Sequence, residues 1–157
     1  MQKIPMTRRG FERLGEERRR LTTVERPQVI RAIEEARAMG DIAENAEYHA
    51  AKERQAFIEG RLIEIEDKLS RAEVIDVSRL SGEVVKFGAT VTVADEDTDE
   101  EATYTIVGAD ESDINDGLLS VSAPLARALI GKTVGDSVDV TTPGGHKSYE
   151  IVAVRFE

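Results

Sequence analysis

The chain has 157 residues, 40% hydrophobic but only 4% aromatic with no Trp, which allows one or two small domains built on aliphatic seams. It has no cysteine, so disulfides and thiolate chemistry are excluded and a reducing, cytoplasmic setting is expected; no apolar run or signal-peptide core points to membrane insertion or secretion. The formal charge of −10 excludes a general nucleic-acid coat, because phosphate binding needs an excess of cations.

The charge is unevenly placed. Residues 1–77 carry 15 Lys+Arg against 16 Asp+Glu, whereas residues 78–157 carry 6 against 15. A nearly neutral, arginine-rich first half could hold a local basic patch beside RNA, while the acidic second half would be steered toward a basic protein surface.

In chain order, Thr7 is placed to cap a first helix whose buried stripe is marked by Phe11, Leu14 and Leu21, with Arg18 interrupting it. The triplet Arg18, Arg19 and Arg20 reads as a solvated helix face. Pro27 interrupts the ladder with a short break or kink and is tolerated in the first turn of a resumed helix, where Val29, Ile30, Ile33 and Ala36 continue the seam to about Met39. A reversal is then expected at Gly40. The returning helix carries Ile58, Leu62, Ile65, Leu69 and Ala72 in a 4-3-4-3 rhythm, the seam of an antiparallel coiled coil, and Ala46, Ala50, Ala51 and Ala56 would allow close approach nearer the tip. About 30 residues per helix at about 1.5 Å rise give a reach of roughly 45 Å. Such an arm is a probe, not a pocket.

Residues 1–76 therefore read as a helical hairpin and 77–82 as a linker. Residues 83–157 read as an α+β module, since periodicity changes there to twos. Strands are expected at Val84–Phe87, Thr90–Val93, Thr103–Val107, Leu119–Ser122, Val138–Thr142 and Tyr149–Phe156. Pro124–Ile130 reads as one short helix ended by Gly131, and P-G-G at 143–145 as a hairpin turn.

The hairpin tip, G-D-I-A-E-N-A-E-Y-H at 40–49, places Asp41, Glu44 and Glu47 three residues apart. If a helix starts there, the acids share one face. One explanation is capping, with Asp41 as N-cap and Glu44 reaching back to it. The other is a pair of carboxylates delivered to a hard cation in another molecule's site. Spacing alone favours capping, and both can hold. No nucleophile constellation or phosphate-cradling glycine loop is present; His49 and His146 read as polar surface residues.

The run E-A-R-A-M-G-D-I-A-E-N-A-E-Y-H-A-A-K-E at 35–53 resembles the tip signature of the Gre transcript-cleavage factors of bacterial RNA polymerase, of the GreA type. Four further segments match in order: I-P-M-T at 4–7, E-G-R at 59–61, F-G-A-T-V-T-V at 87–93 and S-A-P-L-A-R-A-L-I-G-K at 122–132. The resemblance implies an FKBP-like second module, though an isomerase pocket is not expected with only Phe87, Tyr104, Tyr149 and Phe156 to line it. It implies that Asp41 and Glu44 are the catalytic acids, entering the polymerase secondary channel to help hold a Mg²⁺ shared with the polymerase active site. It further implies that Asn45 and Tyr48 shape the tip and contact the polymerase there, and that Arg37, Lys52 and Arg54 face the nascent RNA 3′ end. Ser122, Pro124 and Leu125 would dock on the polymerase.

Each role has a plain structural counterpart: seam packing for Tyr48, intra-arm ion pairs for the basic residues, strand exit and helix start for the docking segment. No tightly bound cofactor and a monomeric state are expected. The rival readings are a Gre-fold channel-binding regulator that does not stimulate cleavage, an FKBP-like isomerase with a helical arm, and a coiled-coil adaptor with a capped tip.

Overall fold

A computed structural model describes residues 2–41 and 44–157. The chain divides into two compact units: Phe11–Ala72 with the first three residues, and Glu73–Glu157 with Ile4–Gly10.

The first unit holds most of helix α1 (Arg8–Arg20), a π turn (Leu21–Glu25), α2 (Arg26–Arg37) and α3 (Ala46–Arg71). Its seam is Leu14, Leu21, Val29, Ile33 and Ala36 against Ala51, Ile58, Leu62 and Ile65, all buried. Phe11 and Ile30, expected in the seam, are 37% and 42% exposed and lie off it. Of the four alanines expected to bring the helices together near the tip, only Ala51 is buried.

No break occurs at Pro27. Helical dihedrals run through Arg20, Glu25 and Arg26, and the Arg26 N–H donates to the Leu21 carbonyl, one residue further back than in an α-helix. Two causes agree on this bulge. Proline in an unbroken α-helix would drive its ring into the carbonyl four residues earlier, that of Thr23. The seam also steps by seven residues from Leu14 to Leu21 but by eight from Leu21 to Val29, so one residue must be absorbed to keep Val29 facing inward. Thr22 and Thr23 hydroxyls donate to the Arg18 and Arg19 carbonyls beside the turn at 2.7–3.1 Å.

Two bidentate ion pairs bracket the turn. Arg61 Nε and Nη2 donate to Glu17 at 2.7 and 2.8 Å, and Arg26 Nε and Nη2 donate to Glu59 at 2.9 and 2.7 Å. The E-G-R segment thus supplies both rungs. Hydrogen bonding from Arg61 holds the Glu17 carboxyl below its ordinary pKa, and Arg26 does the same for Glu59.

In the second unit, β1 (Ile4–Thr7) pairs with β2 (Ala72–Ile75), two strands that the reading of residues 1–76 as a helical hairpin does not include. The Thr7 hydroxyl accepts from the Gly10 N–H at 3.1 Å, the expected cap of α1. Glu111 accepts from the Thr7 and Gly108 N–H groups, each at 3.0 Å, and from the Thr7 hydroxyl. A Cβ on Gly10 would fall 2.2 Å from that carboxyl, so a side chain there collides with the clasp.

The main sheet has the order β5-β4-β3-β7-β6, with β3 (Thr90–Asp95), β4 (Glu101–Val107), β5 (Leu118–Ser120), β6 (Ser137–Thr142) and β7 (Gly145–Arg155). All pairs are antiparallel except β4 with β5. Helix α4 (Pro124–Leu129) buries Ala126 and Leu129 in a core that includes Val91, Val93, Ile106, Val140 and Ile151. Val84–Phe87 is not a strand. Val85 bonds instead to Lys132 and Gly131, at 2.8 and 2.9 Å, leaving one isolated bridge from Val84 to Thr133. The expected α+β class, with a sheet and one short helix after a helical hairpin, is what the chain forms.

Candidate functional site

The tip begins where α2 loses its ladder. Ala38 and Met39 N–H groups bond back to Glu34 and Ala36 at 3.2 Å, Gly40 bonds to Arg37 at 3.4 Å, and Gly40 turns the chain with φ +112°. That conformation suits glycine, as its position implied.

Helix α3 does not start at Asp41. Its N-cap is Asn45, whose side-chain oxygen accepts from the Tyr48 N–H at 3.0 Å, while Nδ2 donates to the Ala36 carbonyl at 2.5 Å. Asn45 therefore fastens the end of α2 to the start of α3. The sequence signal existed, since asparagine caps as well as aspartate and stands directly before Ala46; placing the helix start four residues too early hid it. Asp41 is therefore not the N-cap of this helix, the place that D-x-x-E suggested. Asp41 and Glu44 are exposed and precede the helix, and only Glu47 lies in its first turn, where an acid favours the helix dipole. Ile42 and Ala43, also part of the tip motif, lie outside the described residues.

Tyr48 is half-buried and meets His49 edge-on, with ring centroids 5.6 Å apart. Arg37, Lys52 and Arg54 are all exposed. Lys52 donates to Gln55 at 3.2 Å, and Arg54 reaches Gln28 at 3.5 Å and Glu25 at 3.8 Å, so Arg54 is partly engaged within the arm. Among the described residues, no three or more His, Asp or Glu gather as a metal site. Two exposed carboxylates alone suit an ion completed by another molecule, not one resident in this chain.

The other expected contact residues sit in the second unit. Ser122 is exposed and its hydroxyl meets that of Ser120 at 2.8 Å; Pro124 begins α4. Pro124 and Leu125 line a cavity of about 350 Å³ with Tyr104, Tyr149, Ile114 and Val140. Of the four aromatics considered for such a pocket, Tyr104 and Tyr149 reach this one. Sequence pattern had not joined them to the S-A-P-L segment, because they come from β4 and β7, far from it in the chain.

Two adjoining stretches match known families. Residues 4–74 match the N-terminal part of the GreA/GreB transcription elongation factors, and 80–156 match their C-terminal part. The chain is 65% identical to a protein of Cereibacter sphaeroides and 64% to one of Phenylobacterium zucineum, both named transcription elongation factor GreA, with 99% of each chain covered. Among solved structures it is similar to GreA factor homolog 1 of Thermus thermophilus, at 28% identity and a TM-score of 0.45, with 98% of this chain and 99% of that one covered.

Proposed function

This chain belongs to the GreA/GreB family of transcription elongation factors, and on that premise we propose that it stimulates bacterial RNA polymerase to cleave backtracked nascent RNA. The observation that carries the reading is the exposed pair Asp41 and Glu44 at the reversal of a hairpin, with the reversal held by Asn45. A hairpin that buries one seam and ends in carboxylates is suited to entering the polymerase secondary channel. There its two acids supply oxygen donors toward a Mg²⁺ that the polymerase active site also holds; such an ion activates water and stabilises a leaving oxygen.

On this reading the protein is no nuclease by itself. Arg37 and Lys52 face the RNA 3′ end, with Arg54 contributing less because Glu25 and Gln28 already engage it. Tyr48 steadies the tip, and Pro124, Leu125 and Ser122 dock the second unit on the polymerase. The protein acts in the cytoplasm as a monomer with no tightly bound cofactor of its own. The test is release of short 3′ fragments from halted, backtracked polymerase in Mg²⁺. Fragments should appear with polymerase and factor together, beyond the slow release by polymerase alone, and never with factor and free RNA. Binding without stimulation would leave a channel-occupying regulator in its place.

A further inference from the structure

The bases of residues 78–157 are sorted into two kinds. Of the six, Arg79 pairs with Asp76, Lys147 with Asp95 and Arg155 with Glu157. Lys86, Arg127 and Lys132 are exposed and, among the described residues, pair with no carboxylate. These three lie together. The Val85 N–H donates to the Lys132 carbonyl and the Gly131 N–H to the Val85 carbonyl, at 2.8 and 2.9 Å, which sets Lys86 beside Gly131 and Lys132. Arg127 stands in the last turn of α4, three residues before Ile130 and so on the same side of the chain as it.

Apolar surface shares the place. Val84 and Ile130 are 42% and 38% exposed, whereas Val85, between Val84 and Lys86, is fully buried. Val84 bridges to Thr133, so the two exposed aliphatic side chains come from adjoining segments. Of the acids in residues 83–86 and 130–136, Asp136 accepts from the Thr133 N–H at 2.9 Å, which leaves exposed Glu83 against three cations. In a half with 15 acids and 6 bases, this is the one place where the local charge has the opposite sign to the whole.

Charge and apolarity together select the occupant. Three unpaired cations around two aliphatic side chains complement a protein segment that carries Asp or Glu around an aliphatic side chain of its own. A nucleic acid fits less well. The exposed side chains here are aliphatic and give a base no ring to stack on, and the many acids of the same half repel phosphate.

We propose that Val84, Lys86, Arg127, Ile130 and Lys132 form a surface that docks an acidic, aliphatic-bearing segment of the polymerase. The inference rests on the reading of this chain as a polymerase-bound factor, and adds a second contact to the one at Ser122, Pro124 and Leu125. The test uses the full chain and purified polymerase elongation complexes. Lys132→Glu should weaken binding about tenfold, chiefly through slower association, while Arg155→Glu, an equal change of net charge elsewhere in the same half, should keep it within about twofold. Lys132→Gln should fall between them. All three should melt as wild type does and release fragments at the wild-type rate once the factor is saturating. Val84→Ser should weaken binding about fivefold and leave its salt dependence unchanged. A photoreactive p-benzoylphenylalanine at position 84 should cross-link to a polymerase segment with Asp or Glu flanking an aliphatic residue. Wild-type binding by Lys132→Glu, equal weakening by Arg155→Glu, or cross-linking to nucleic acid alone would overturn this docking surface and leave the cleavage function standing. A wild-type protein that neither binds nor stimulates polymerase would overturn both.

Discussion

Asn45 donates from Nδ2 to the carbonyl of Ala36 and accepts at Oδ1 from the Tyr48 N–H, so one side chain joins the last turn of α2 to the first turn of α3. The two halves of that role are separable. Asn45→Ala loses both bonds and should cost about 1–2 kcal/mol in denaturant unfolding. Asn45→Asp keeps the capping oxygen and loses only the donor to Ala36, so it should cost about half as much. Equal losses would show that the bond to Ala36 alone matters. In both variants Asp41 and Glu44 remain, so weaker transcript cleavage would report a looser tip and not missing acids.

Among the elements, the π turn is where two sequence features converge. If the eight-residue step from Leu21 to Val29 demands it, Pro27→Ala should leave the turn in place, with slow exchange of the Arg26 amide and little change in stability. Removing Thr23 in the Pro27→Ala background shortens the step to seven residues and should convert the turn to α-helix with Val29 and Ile33 still on the seam. The cost should then stay well below the about 2–5 kcal/mol of losing one large buried side chain. A deletion variant destabilised by that much would refute a register role for the turn.

The bracketing rungs respond to acid. The Glu17 carboxyl titrates lower in the folded chain than its unfolded value near about 4.3. Its contribution is therefore complete above that unfolded value and is lost as pH falls through the folded one. Glu17→Gln should flatten the decline in stability over that acid window and change its slope little near neutrality.

The elements also show what a single sequence displays. The rhythm of Ile58, Leu62 and Ile65, the reversal at Gly40 and the P-G-G hairpin follow from local chemistry and were legible. Val84–Phe87 was not, because its apolar pattern suits a strand while its partners are Gly131, Lys132 and Thr133, about fifty residues away in the chain. Ile30 misled for a related reason. Beside Val29 it looks like seam, but only the phase set by the π turn decides which of the two faces inward. The acids at the tip were legible as a motif, whereas the two bonds by which Asn45 joins α2 to α3 were not.

For the whole molecule, the two halves of the chain divide charge and task. The arm is almost balanced and its two bidentate ion pairs join its own helices, whereas residues 78–157 hold 15 acids against 6 bases. Binding carried by that acidic half should weaken as salt is raised, with the larger change in association rate. On the proposed function, the arm supplies chemistry that the acidic half lacks. Asp41→Asn with Glu44→Gln preserves size and polarity at the tip while removing both negative charges. Fragment release from backtracked polymerase, measured with polymerase binding in the same samples, should fall on the order of 100-fold at unchanged affinity. Cleavage at the wild-type rate by the bound double variant would contradict the assignment of those two carboxylates as the acids delivered by the arm.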